Sequence, residues 1–319
     1  MKLQNKIIIT GGCGFLGQAL IKRWYGKFPL VIFNRDENKQ FYVKQKYPNA
    51  EYRLGDVGDY RSLSRASEGC SYGVFAASMK HIDMVSENPE IAAQTILTGA
   101  FNSRRVCEDL DFVAGSFIST DKSQSPSTLY GALKMAAAEA FTLNSNNRPR
   151  LTSLSYGNIF FSSGSLLIKL NQAIKEKTPL VLFSEDMTRF GMSAEQAVDL
   201  IEEALFGDYC GVSLIPHLWS YKVKDLFDIY KEKFGLEYSM GAMRVGEKLH
   251  EVMIPEHSVP RTKYIKSKNI YVVDQKVFIN EVQFKEREYS SRDYSISKKD
   301  LLKYLEQQNF FLDYNSIQS

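Results

Sequence analysis

The feature that most constrains this chain is its beginning. Lys6-Ile7-Ile8-Ile9-Thr10 is a short, apolar, β-branched run, as a buried parallel strand requires. It leads directly into Gly11-Gly12-Cys13-Gly14-Phe15-Leu16-Gly17, and Gln18 to Tyr25 then carries Ala19, Leu20 and Trp24 at helical spacing. Strand, glycine turn and helix in that order open a parallel α/β sheet. The glycines allow a tight turn and bring the backbone close to a pyrophosphate, which sits at the positive end of the helix. A glycine run alone would equally be a plain turn, and GxxGxxG differs by one residue from the commoner GxGxxG. The flanking strand and helix carry the reading of a dinucleotide site.

Leu30 to Phe33, Glu51 to Leu54, Val74 to Ser78 and Phe112 to Thr120 read as further strands, with helical stretches between them. They predict an α/β fold with a doubly wound parallel sheet. Residues 1–160 would form the dinucleotide-binding domain, with later segments returning to it, and 161–319 mainly a substrate-binding lobe. After the second strand comes Asn34-Arg35-Asp36-Glu37-Asn38-Lys39. Asn34 is neutral, while Arg35 and Lys39 suit a ribose 2′-phosphate, which favours NADP over NAD. Asp36 and Glu37 point the other way, and a solvated charged loop would have the same composition. Asp56, in Gly55-Asp56-Val57, lies where such folds place an Asp facing the adenine. Ala76 and Ala77 are small enough to let a cofactor approach the backbone.

Thr120-Asp121-Lys122 falls at the carboxyl end of a strand, where ligands of such sheets bind. Ser125-Pro126 reads as an N-cap followed by Pro at the first helical position. The helix it starts carries Tyr130 and Lys134, four apart and so on one face. A nearby ammonium favours the phenolate, which suits a base in hydride chemistry at a carbinol carbon. Asp121 and Lys122 add one proton donor and one acceptor, which implies more steps than a simple alcohol oxidation. Singly, these residues read as a surface Tyr, a solvated Lys and a loop ion pair; together, after a glycine turn, they read as a reactive cluster.

A net charge of +3 over 319 residues, with no long run of like charges, argues against nucleic acid or a membrane surface as partner. No stretch approaches the roughly 20 apolar residues that span a bilayer. Four cysteines (13, 70, 107 and 210) and four histidines (81, 217, 250 and 257) show no metal-ligand spacing, so no metal is expected. Together with the absence of a signal-peptide pattern, this fits a reduced, cytoplasmic protein. In the C-terminal half, 191–205 and Ser220 to Phe234 have the periodicity of amphipathic helices.

The segments TGGCGFLG (10–17), NRDENKQ (34–40), GDV (55–57), AASMKH (76–81), STDK (119–122), LYGALK (129–134), YGN (156–158), MTRF (187–190), MRVGEKLHEVMIP (243–255) and EYSS (288–291) run nearly end to end. In them the chain resembles the extended short-chain dehydrogenase/reductases, and more narrowly the inverting UDP-N-acetylglucosamine 4,6-dehydratases of surface-polysaccharide biosynthesis. The resemblance implies that Tyr130, helped by Lys134 and Thr120, deprotonates the sugar C4 hydroxyl while hydride passes to NADP⁺. Lys122 would remove the C5 proton, and Asp121 would protonate the departing C6 hydroxyl. It also carries Cys13, Phe15, Leu16, Val57, Lys80 and Ile159 over as cofactor contacts. Lys80, Asn158, Arg189, Arg244, Glu247 and Tyr289 are carried over as contacts to a UDP-sugar, with Arg189 and Arg244 also suited to grip its pyrophosphate. Self-association into a homo-oligomer is a further expectation. The chain departs from the family pattern at Ser155 and Ser163, where Arg is usual, and at Ile96, where Asn is usual. A 4-epimerase or a retaining dehydratase on the same scaffold remains open. The Asp121-Lys122 pair discriminates: an epimerase needs no elimination acid and base, and retaining enzymes typically carry Asp-Glu there.

Overall fold

Ile7–Thr10 (β1) is buried at every position, the mark of a strand covered on both faces. The structure is a computed structural model and describes residues 5–143, 145, 148–243, 246–274, 284 and 286–311. After β1 come Leu30–Asn34 (β2), Glu51–Leu54 (β3), Tyr72–Phe75 (β4), Ala114–Ile118 (β5) and Arg150–Leu154 (β6). Across the sheet they run β3-β2-β1-β4-β5-β6, all parallel. Val212–Pro216 adds in parallel to β6, and Ile270–Val273 and Thr262–Ile265 close the sheet antiparallel, for nine strands. The charged, exposed β3 forms one edge, which blunts it against pairing with another chain. Chain order reverses between β1 and β4, the switch point where ligands of doubly wound sheets bind. The fold is thus the α/β doubly wound sheet expected from the sequence.

Two units are separable. The first comprises Met1–Tyr156, Ala194–His217 and Pro255–Arg287. Its core gathers Ile8, Val31, Phe33, Phe75, Phe117 and Phe141 with residues of the covering helices. The Ala194–Phe206 helix is anchored here: Trp24 Nε1 donates to Glu202 Oε1 at 2.7 Å, and Arg23 bridges Asp199 and Glu202. The second unit comprises Gly157–Ser193, Leu218–Ile254 and Glu288–Ser319. It holds a three-stranded sheet of Ser220–Lys222, Thr188–Met192 and Asn158–Ile159, and its own core around Phe160, Leu170, Tyr221 and Tyr230.

Element boundaries differ from the sequence reading in informative places. The first helix begins at Phe15, so the last glycine of the turn is already helical. Ala76 to Ser78 lie beyond β4, and Ser119 and Thr120 beyond β5, although Ala76 N still donates to Thr10 O and Ser119 N to Leu154 O. Residues 191–192 finish a strand and helix begins at Ala194, while Ser220–Lys222 is a strand preceding the Val223–Phe234 helix. In both cases a buried strand runs straight into a helix, and apolar periodicity cannot separate the two.

The glycine turn works by close approach. A Cβ on Gly17 would fall on the Gly12 backbone, nearer than any real Cβ contact, so the first helix packs directly on the turn. Gly17→Ala is therefore expected to cost roughly 1–3 kcal/mol, as overpacking does. A circular dichroism melt should show a midpoint several degrees lower; melting together with the wild type would refute the close packing.

Candidate active site

β5 delivers its last residues to the carboxyl edge of the sheet, and the chain there folds into a single 3-10 turn, Asp121–Ser123. Thr120 caps that turn, its Oγ1 accepting from Lys122 N at 3.4 Å. Asp121 N donates to Tyr156 O at 3.1 Å, which ties the turn to the segment leaving β6. Ser123 Oγ donates to Thr120 O at 2.6 Å. Gln124 Nε2 donates to Ser155 Oγ at 3.0 Å and to Ser123 Oγ at 3.3 Å. Gln124, Ser123, Ser155 and Tyr156 thus support the turn; only the adjacency of the YGN segment hinted at this, because their partners are distant in sequence.

The next helix is Leu129–Thr142, alanine-rich and capped by Thr128, whose Oγ1 accepts from Gly131 N at 3.3 Å. The Ser125-Pro126 cap expected from the sequence is corrected: both residues precede the helix, and Thr128 provides the oxygen. Gly131 packs on the Lys122 carbonyl so closely that a Cβ there could not fit. Thr120, Asp121, Lys122, Tyr130 and Lys134 are thereby brought together on one unit.

Their electrostatics differ from the simple pairing of Tyr with Lys. Lys134 is 3% exposed, and its Nζ donates to Ile118 O at 2.5 Å and lies over the Phe117 ring. Burial pulls its ammonium down to about 7. Tyr130 is pushed up by burial first; Lys122, and a hydrogen bond with Thr120, oppose that shift, while Asp121 adds to it. Lys122 is a cation that pulls on Tyr130. Asp121 is 1% exposed. Its Oδ1 accepts from Thr120 Oγ1 at 2.9 Å and Lys122 Nζ at 3.1 Å, while Oδ2 is buried with no hydrogen-bond partner among the described residues.

The expected cofactor residues gather at the switch point. Gly11 has φ +68°, and a Cβ there would meet Ala77 N at 2.9 Å, so β1 and β4 deliver backbone against backbone, Ala76 and Ala77 included. Gly14 caps the first helix without a side-chain bond, leaving the first-turn amides of Phe15, Leu16 and Gly17 to a ligand. Cys13 is pushed up to about 11 by burial, with Asp36 and Lys39 both within electrostatic reach. Lys80 is pulled down by partial burial and by Lys39. Arg35 pairs with Asp56 at 3.4 Å and Lys39 with Asp36 at 3.2 Å, all exposed. Asp36 caps the following helix through Lys39 N, Asn34 Nδ2 donates to Asp36 O, and Val57 O accepts from Asn102 Nδ2. Backbone approach and open helix amides fit a dinucleotide.

The substrate candidates of the second unit are differently placed. Asn158 and Ile159 form a short strand parallel to Gly191 and Met192. Arg189, 6% exposed, pairs with Glu247 and Glu251, and donates to the carbonyls of Thr188, Lys248 and Leu249. Tyr289 is fully buried, donating to Leu218 O at 2.8 Å and accepting from Leu218 N at 2.6 Å. Arg244 lies outside the described residues. Among the described residues no group of His, Cys, Asp or Glu is arranged to hold a metal, and no helix is long and apolar enough to cross a membrane.

Comparison with known proteins agrees with this geometry. The family model described as "Polysaccharide biosynthesis protein" matches residues 7–275. A UDP-N-acetylglucosamine 4,6-dehydratase (inverting) of Campylobacter jejuni is 32% identical over 261 residues, 79% of this chain and 78% of that protein. A UDP-glucose 4-epimerase of Rickettsia felis is 27% identical, over 82% of this chain and 81% of its own. Among solved structures, Pen from Bacillus thuringiensis shares the fold with a TM-score of 0.86, at 23% identity, covering 97% of this chain and all of that one. The chain belongs to the polysaccharide biosynthesis protein family of extended short-chain dehydrogenase/reductases, alongside the inverting UDP-N-acetylglucosamine 4,6-dehydratases.

Proposed function

We propose that this chain is an NADP-dependent UDP-N-acetylglucosamine 4,6-dehydratase that inverts C5. The observation that carries the reading is the Asp121–Lys122 pair, held in one turn against the helix of Tyr130 and Lys134. Redox at a carbinol needs the Tyr and Lys alone; an acid and a base beside them are what removal of water requires. The 4-epimerase relatives keep a second reading in view, and the acid–base pair argues against it.

A dinucleotide held at the glycine turn (11–17) and the first-turn amides of the following helix would supply the hydride acceptor for C4 and the hydride donor for C6. Tyr130 takes the C4 hydroxyl proton, with Thr120 and Lys122 stabilising its charged form. Lys134, bonded to Ile118 O, holds the helix in place against β5. The C4 ketone acidifies C5, Lys122 Nζ removes that proton, and the Asp121 carboxyl delivers one to the C6 oxygen, which leaves as water. A proton from solvent adds to C5 from the opposite face as hydride arrives at C6, and Tyr130 releases to solvent the proton it took from the C4 hydroxyl, which closes the cycle on the inverted 4-keto-6-deoxy sugar. Two cations near the β2 end, Arg35 and Lys39, favour NADP. A 2′-phosphate would replace Asp56 and Asp36 as their partners.

Incubation with UDP-N-acetylglucosamine and NADP⁺ in D₂O is expected to give a product lighter by one water and carrying deuterium at C5, read by mass and NMR. A C4 epimer with no water lost would sink the reading. Tyr130→Phe is expected to slow turnover by about 10²–10⁴-fold, the range for loss of a general base. Lys122→Met should abolish C5 exchange while substrate still reduces bound NADP⁺; water loss at the wild-type rate would remove Lys122 from the role of base.

Cofactor choice is tested by titration calorimetry. Arg35→Ala is expected to weaken NADP⁺ binding about tenfold or more, the worth of one charged hydrogen bond, and to leave NAD⁺ nearly unchanged. Equal weakening of both would assign Arg35 to another part of the site.

A further inference from the structure

The dehydratase reading demands protonation states that are the reverse of the usual ones: a neutral lysine as base and a protonated aspartate as acid. We propose that Asp121 and Lys122 meet this demand as one unit, by passing a single shared proton between Lys122 Nζ and Asp121 Oδ1. The inference rests on the dehydratase reading and deepens it. The two atoms are 3.1 Å apart, within reach for direct transfer. Both donors to the carboxylate, Thr120 Oγ1 and Lys122 Nζ, address Oδ1, and Oδ2 is buried with no hydrogen-bond partner among the described residues. A buried carboxylate with one oxygen unbonded is poorly compensated, whereas the neutral acid has one oxygen fewer to satisfy as an anion.

The balance closes. In the transfer one N–H bond of Lys122 breaks and one O–H bond forms on Asp121, converting an ion pair into amine plus acid with no change in net charge. In elimination the C5–H bond breaks and its proton goes to Nζ. The carboxyl proton goes to the C6 oxygen, the C6–O bond breaks, water leaves and a C5–C6 double bond forms. Lys122 is again an ammonium and Asp121 a carboxylate, so the pair ends as the ion pair from which it began. It reloads for the next turnover by the same transfer. Among the described residues the titratable group bearing on it is Tyr130, from the following helix, which in turn acts on Tyr156; Lys134 is engaged by Ile118 O.

A shared proton has a signature in pH. With the pair intact, the fraction of neutral Lys122 is set inside the pair and does not follow bulk pH. With Asp121→Asn, Lys122 must lose its proton to solvent. The rate of C5 protium loss from UDP-N-acetylglucosamine in D₂O with NADP⁺ is measured for both proteins from pH 6 to 8, each divided by that protein's own rate of NADP⁺ reduction by substrate, which reports Tyr130 in that protein, and the ratio of the two quotients is taken. The ratio of variant to wild type is expected to climb about tenfold per pH unit. Asp121→Glu, which restores an exchangeable proton, should give a flat ratio. Reduction of bound NADP⁺ by substrate reports that each variant is folded, and Asp121→Ser, expected to show the same slope, serves if Asp121→Asn does not fold. A flat ratio for the neutral variants overturns the shared proton. Failure of the wild type to eliminate water at all would instead overturn the dehydratase reading itself.

Discussion

The reactive part of this chain depends on the packing of Gly131 against the Lys122 carbonyl. The helix bearing Tyr130 and Lys134 and the turn bearing Asp121 and Lys122 are separate elements, and their side chains act together only if the backbones touch. Any side chain at 131 would hold them apart. Two further bonds brace the contact: Lys134 Nζ reaches back to Ile118 O in β5, and Asp121 N to Tyr156 O after β6. The turn is thus tied to the segment after β6 through main-chain groups, and the helix to β5 through the buried Lys134 side chain. Acid–base chemistry with hydride transfer tolerates displacements of only about 0.5 Å, so this stiffness is a functional requirement.

Burial then decides the electrostatics. Desolvation dominates for both Tyr130 and Lys134, and in each it favours the neutral form. Lys134 accordingly binds a backbone carbonyl and an aromatic face, partners that suit a buried cation with no carboxylate beside it. Lys122 carries more than one role. It opposes the effect of burial on Tyr130 and pairs with Asp121, so one ammonium touches both the proposed redox base and the proposed elimination acid. An electrostatic cluster this tight responds as a whole, and a substitution at any member shifts the others.

The parts legible in the sequence were those governed by local rules. β1, the glycine turn and the first helix follow from a β-branched run, φ-permissive residues and helical spacing within 20 residues, and the sheet order from the alternation of strands and helices. The Tyr130–Lys134 pair was visible because helical geometry fixes its spacing. What local rules miss is competition among candidates. Ser125 and Thr128 are both competent caps, and packing of Gly131 on Lys122 selects the later one. The engagements of Arg189 with Glu247 and Tyr289 with Leu218 join residues 58 and 71 apart, where no spacing rule applies. The resemblance pointed to these residues as ligand contacts, and the structure places their polar atoms against protein partners, a bond pattern that holds segments together.

The positions where this chain departs from its family pattern acquire a physical reading on the same terms. Ser155 is wholly buried, and its hydroxyl accepts from Gln124, which also reaches Ser123 in the Asp121–Ser123 turn. A guanidinium at 155 would occupy the place of that amide and put a charge beside the turn; a serine lets a neutral hydrogen-bond chain brace it. Ile96 lies fully in the apolar core with Val57 and Ala100, so an amide there would need a partner that this core lacks. Both changes replace polar or charged groups by ones their surroundings satisfy. The Gln124, Ser123 and Ser155 bonds that brace this turn are therefore neutral, and Asp121 and Lys122 form an ion pair within it, the pair between which the proposed proton would pass.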